Sequence, residues 1–228
     1  MRTEDLIVDL AWRVTPVRPL ARPAVRAFRW LIVAGTCVVL GIGIFGARGD
    51  VTTRLIQADY FWTVALALIL AIVAAVTSLT LAIPGAERRP ALRITAVALL
   101  CVWALTIVWS VIRAGHGLPI ATDPHWPVCF ARVFLVAAIP AYVLAVMVRR
   151  AFPLRPGWTA AMISAAAASA GALMTQLACP LDDPGHGLLG HFVPVLALIA
   201  MGLSAKAVVG GARREGAERR STGDESRE

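Results

Sequence analysis

The run WTAAMISAAAASAGALMTQLA, residues 158–178, passes without a spacer into CPLDDPGHGLLGH, residues 179–191. The first part carries no charge. At about 1.5 Å of rise per residue it is long enough to cross a bilayer core of about 30 Å. Lipid offers no partner to a backbone amide, so such a segment must pair its own peptide groups and be a helix. Its Ala, Ser and Gly side chains allow neighbouring helices to come close, which places it in the interior of a bundle. The second part is a polar island holding Cys179, Asp182, Asp183, His186 and His191. Those residue types bind soft metals or carry out thiol chemistry.

Five more apolar runs of similar length lie at about 30–47, 61–83, 92–113, 128–148 and 188–209. The chain is 58% hydrophobic and only 16% charged, against about a quarter charged in an ordinary soluble domain. The expected fold is therefore all-α: an integral membrane bundle of six transmembrane helices over residues 30–209. The first run contains Gly35, Gly41, Gly43 and Gly46, and by the same small-residue argument it is expected in the interior beside 158–178. No cleavable signal peptide is expected, because the first apolar run begins behind six arginines.

The arginines set the orientation. Eighteen of the 22 basic residues fall in residues 1–29, around the second-to-third and fourth-to-fifth connections, and at the end of the chain. Arg48, Arg54, Arg113 and Arg132 fall on the other side. Basic residues collect on the cytoplasmic face, so both termini are expected there. This also accounts for the net charge of +8 without nucleic-acid binding. All four histidines lie on or beside the opposite face, with Cys129 and Cys179 at its membrane boundary. Cys37 and Cys101 sit deep in the first and third runs.

Residues 1–29 read as a cytoplasmic segment. Thr3 caps a short helix whose one face carries Leu6, Ile7, Leu10 and Val14 on a 3.6-residue period. Pro16, Pro19 and Pro23 end it, and Arg18, Arg22, Arg26 and Arg29 lead to the membrane edge. An amphipathic face of this kind suits either a partner's groove or the lipid surface. Residues 210–228 hold five arginines and five acids with no apolar pattern, and read as a disordered cytoplasmic tail.

Several chemistries remain open on spacing alone. Cys129 and Cys179 could form a disulfide, or could bind a thiophilic metal with His125, His186 or His191 as further ligands; they could also be small apolar residues at helix ends. His186 and His191 are five apart, which does not suit one face of an α-helix, so a loop is expected to place one of them. Asp182-Asp183 before Pro184 is as much a turn as a ligand pair. Arg113 and Arg132 read as snorkelling side chains, with Asp59 or Asp123 as alternative partners. No acid lies mid-span, against a proton-coupled pump. A small membrane transporter or metal exporter is the alternative function, and a thiol oxidoreductase the third, disfavoured by the lack of a CxxC pair. No nucleotide-binding or hydrolase motif occurs, and no enzyme activity is expected.

Three stretches together carry a family resemblance: Asp5 to Arg26 with its proline–arginine segment, Cys129 to Pro140 with the following Arg149 to Pro156, and Cys179-Pro180 followed by the histidine pair. The chain resembles the NrsF-type membrane anti-sigma factors. The resemblance implies a six-span protein of the bacterial inner membrane that holds an extracytoplasmic-function sigma factor. It implies Cys129 and Cys179 as sensors of heavy metal or oxidant. The sigma-binding part would lie in the N-terminal segment, with Leu6, Ile7, Leu10, Val14, Pro16, Arg18 and Arg22 as candidates. No cofactor is required; a cadmium-like ion is a transient signal, and lipid and the sigma factor are the expected partners.

Overall fold

The computed structural model describes residues 2–5, 12, 21–83, 90–115, 124–149, 151 and 155–204. Among these there is no strand, and six helices are long and apolar enough to cross a membrane. They are α1 (Pro23–Phe45), α3 (Ala58–Thr80), α4 (Ala91–Arg113), α5 (Trp126–Arg149), α6 (Pro156–Ala178) and α7 (Pro184–Ser204), with a short α2 (Val51–Arg54) between the first two. The helices run alternately up and down. One end of the bundle gathers Arg26, Arg29, Arg93, Arg149 and Arg155 (the basic end), and the other gathers Cys129 and Cys179 (the cysteine end).

All six spans begin earlier than their apolar runs, and three of them begin at a proline: Pro23, Pro156 and Pro184. Proline suits the first helical turn, where its missing N–H has no intrahelical partner to lose. Hydropathy alone does not see this start signal. At the other end of α1, Gly46 takes φ +86°, and its N–H closes the last turn on the Ile42 carbonyl at 2.9 Å.

The interior is α6. In its central window 72% of residues are buried, against 22–50% in the other five spans. It packs most extensively against α3 and α5. Gly171 marks the closest approach: a Cβ there would stand 2.5 Å from the Val133 carbonyl oxygen of α5. The expectation for the first run fails, because α1 is only 22% buried and lies on the outside of the pair α5 and α6. Of its glycines, only Gly41 meets a neighbour, where a Cβ would press on Met174, while Gly35 and Gly43 have open space. Four glycines spread around a helix do not make one small-residue face.

α1 is nonetheless firmly placed at the basic end. The Trp30 indole is fully buried and donates to the Pro140 carbonyl oxygen at 2.9 Å. The buried Arg26 guanidinium donates to the Met147 carbonyl oxygen, where a cation meets the carbonyl end of α5. A cavity of about 650 Å³ lies at the same end, lined among others by Leu70, Val97, Leu100, Trp158, Ile199 and Leu203. Of the N-terminal segment, residues 3–5 and 12 are helical. Leu6, Ile7, Leu10, Val14, Pro16 and Arg18 lie outside the described residues, as do the tail and His116; Arg22 is exposed at the start of α1.

Candidate thiol and imidazole site

Cys129 lies in the first turn of α5, and Cys179 is the residue that ends α6. Both are buried and not joined by a disulfide, with sulfurs 3.7 Å apart. The Cys179 sulfur is also 3.3 Å from His186 Nε2. His191 completes the group: the four donor atoms of Cys129, Cys179, His186 and His191 lie within 4.8 Å of one another.

The placement of His191 departs from the expectation of a loop. After one turn at Pro184–His186, the backbone of α7 winds as a π-helix over Gly187–Phe192 before resuming the α form. The wider turn brings residues five apart onto one face. His186 and His191 therefore stack edge to face with ring centroids 5.2 Å apart. Gly190 makes this compatible with α5, since a Cβ there would already crowd Cys129 and His186 at 3.2 and 3.4 Å. The start of the turn is fixed by Asp183, whose carboxylate accepts from the His186 backbone N–H at 2.8 Å. On the far side Phe192 meets Trp103 of α4 edge to face at 5.1 Å.

The donor set fits a soft or borderline ion. Two sulfurs each about 2.3 Å from a tetrahedral ion stand about 3.8 Å apart, close to the separation found here, and two imidazoles fill the remaining positions. The same two sulfurs need approach by less than about 2 Å to form a disulfide. The Cys129 thiol donating to Cys179, with the same pull from His186 and His191, holds the Cys179 thiol well below the ordinary thiol range despite its burial. His125 precedes α5 and is not part of the group. Cys37, half-buried in α1, and Cys101, exposed on α4, belong to other parts of the bundle.

Ion pairs that the sequence does not reveal brace the site. Arg48, 5% exposed, donates to Asp50 at 2.7 Å and to Asp182 at 3.0 Å, and its backbone N–H reaches the Leu177 carbonyl oxygen at 3.1 Å. Arg54 also bridges Asp50 and Asp182. The pairing with Arg48 holds the Asp50 carboxyl down at about 2. Asp182 is thus a tie between chain segments and Asp183 a helix cap, so the pair resolves into two structural roles. Nothing local to Arg48 in the sequence signals a partner 134 positions away. The Tyr60 hydroxyl adds a bond to the Gln176 carbonyl oxygen at 2.8 Å. Arg113 and Arg132 lie over Trp109 and Phe45, at 5.1 and 4.8 Å from the ring centroids.

Comparison with known proteins adds one finding. The family model described as negative regulator of sigma F, NrsF, matches residues 10–209. No curated protein matches the chain, and no solved structure does. A match that takes in the whole bundle and the thiol and imidazole group shows that the chain belongs to the NrsF family, a membrane protein that negatively regulates a sigma factor.

Proposed function

We propose that this protein is an anti-sigma factor of the bacterial inner membrane that holds an extracytoplasmic-function sigma factor through residues 1–29. It releases the factor when a thiophilic metal ion or an oxidant acts on Cys129 and Cys179. In this reading the cysteine end faces away from the cytoplasm, and the protein is a regulator and not an enzyme. The observation that supports it most is the gathering of two thiols and two imidazoles from three different helices within 4.8 Å. A metal ion of the cadmium or zinc kind, bound there, would draw α5, α6 and α7 to one point.

The packing supplies a route to the basic end. α1 lies against both cysteine-bearing helices, α5 and α6. At the cysteine end, Arg48 just beyond α1 is tied to Leu177 and Asp182 on either side of Cys179. At the basic end, Arg26 and Trp30 tie α1 to α5. A change in the relation of α5 to α6 therefore reaches the helix that continues from the sigma-binding segment. Coupling between two such sites is typically about 1–3 kcal/mol, or about 5–150-fold in affinity.

The test is a chain carrying both Cys129→Ser and Cys179→Ser. It is expected to bind the sigma factor as the native chain does and to keep it when cadmium is added, in a co-purification of the full-length pair. Release as complete as that of the native chain would overturn the sensor reading.

A further inference from the structure

A second cavity, of about 540 Å³, opens at the cysteine end. Asp59, Asp182, Asp183, Arg54 and Arg113 line it, and Asp182 and Asp183 are exposed to solvent. It is also lined by Gln176, Cys179 and His191, but not by Cys129 or His186. The thiol and imidazole group thus has a near pair, Cys179 with His191, and a far pair, Cys129 with His186. Gln176 stands one turn before Cys179 and is only 4% exposed. Neither its amide nitrogen nor its amide oxygen has a hydrogen-bond partner among the described residues, and His191 Nε2 has none either. A buried amide left without partners is destabilising, and a cavity of this size has room for polar solute beside it. Three arginines and three aspartates among the lining residues leave the chamber close to electrically balanced.

We propose that this cavity is the entry chamber of the thiol site: a small hydrated cation enters between Asp59 and Asp182–Asp183, is met by the Gln176 amide, and reaches Cys179 before Cys129. On arrival a water leaves the ion as the Cys179 thiolate takes its place, and the proton that Cys129 donates to Cys179 passes to solvent in the chamber when Cys129 is ligated in turn. His191 follows from the same side, and Cys129 and His186 close the ligand set from behind. This rests on the reading of the cysteine pair as the metal-responsive element, but the order of access is a separate property.

The experiment measures labelling of the purified full-length chain by a cationic trimethylammonioethyl methanethiosulfonate. A cysteine thiolate attacks its thiosulfonate sulfur, methanesulfinate leaves, and a mixed disulfide forms. The Cys129→Ser and Cys179→Ser chains are labelled separately, so that the neighbouring thiol cannot resolve the product, and the modified peptide is identified by mass. Cys179 is expected to label at least tenfold faster than Cys129. Adding Gln176→Leu is expected to slow the cationic reagent on Cys179 about tenfold and to leave the small neutral methyl methanethiosulfonate within twofold, which separates access from intrinsic thiol reactivity. Should Gln176→Leu fail to fold, Ser110→Phe, which narrows the same chamber, is expected to give the same contrast. Equal labelling of the two cysteines, or the same slowing of both reagents, would overturn the proposal. Sigma release is not read here, so a failed sensor leaves the labelling order intact, and a reversed labelling order leaves the sensor reading intact.

Discussion

At the cysteine end, helix ends meet through directed polar contacts: Arg48 and Arg54 on Asp50 and Asp182, the Asp183 cap, and two thiols facing two imidazoles. At the basic end the described contacts are broader. Beside the bonds by which Arg26 and Trp30 hold α1 to α5, Arg93 lies over the Trp158 ring at 5.8 Å, and a largely apolar cavity opens between α3, α4, α6 and α7. Directed contacts have one good geometry and respond to a change of one atom. Stacked cations and apolar walls tolerate displacement. A bundle with one exacting end and one yielding end can register a chemical event at the first as a shift of position at the second.

Removing the sulfurs disables the cysteine end most completely. With Cys129→Ser and Cys179→Ser, cadmium affinity measured by competition with a chromophoric chelator is expected to fall by about a thousandfold or more. Replacing Cys37 and Cys101 with Ser is expected to leave it within about twofold, since neither belongs to the group. Next comes the π-turn: His191→Ala is expected to cost on the order of a hundredfold in that affinity, while His125→Ala is neutral.

The fold proved more legible than the site, for a physical reason. Span length and charge alternation are properties of contiguous sequence, so the six helices could be read directly. The histidine pair is not legible because a spacing of five does not fit a period of 3.6, and the wider turn has no local residue signature apart from the glycines at 187 and 190. Arg48 and Asp182 could not be paired from sequence, because their contact is made by packing between distant segments. The glycines of α1 carried a packing signal that only Gly41 honours.

Glycine packing within the bundle gives a smaller effect. Gly171→Val forces a side chain into the Val133 backbone and is expected to lower stability by about 1–3 kcal/mol, read as a lower melting temperature in detergent. Gly35→Ala, facing open space in a helix interior, is expected to be neutral or slightly stabilising. A comparably small effect belongs to Arg54, whose side chain is 30% exposed. Arg54→Gln is expected to cost less than about 1 kcal/mol, and the cost is expected to shrink further in high salt.

The π-turn at Gly187–Phe192 also acts as a phase shifter. It inserts the equivalent of one residue into the last helix, and one residue is about 100° of rotation. Everything after it, through Ile199 and Leu203 in the wall of the distant cavity, takes its facing direction from that insertion. Deleting a single residue between Gly187 and Leu189 would restore a straight helix of nearly the same length. It would leave the two histidines four apart, still on one face, and keep the facing direction of Ile199 and Leu203, whereas winding the native sequence as a straight α-helix would rotate His191 and the distant cavity wall together by about 100°. The turn therefore absorbs one extra residue and lets both ends of this span keep their facing directions, which substitutions leave intact and a second insertion does not.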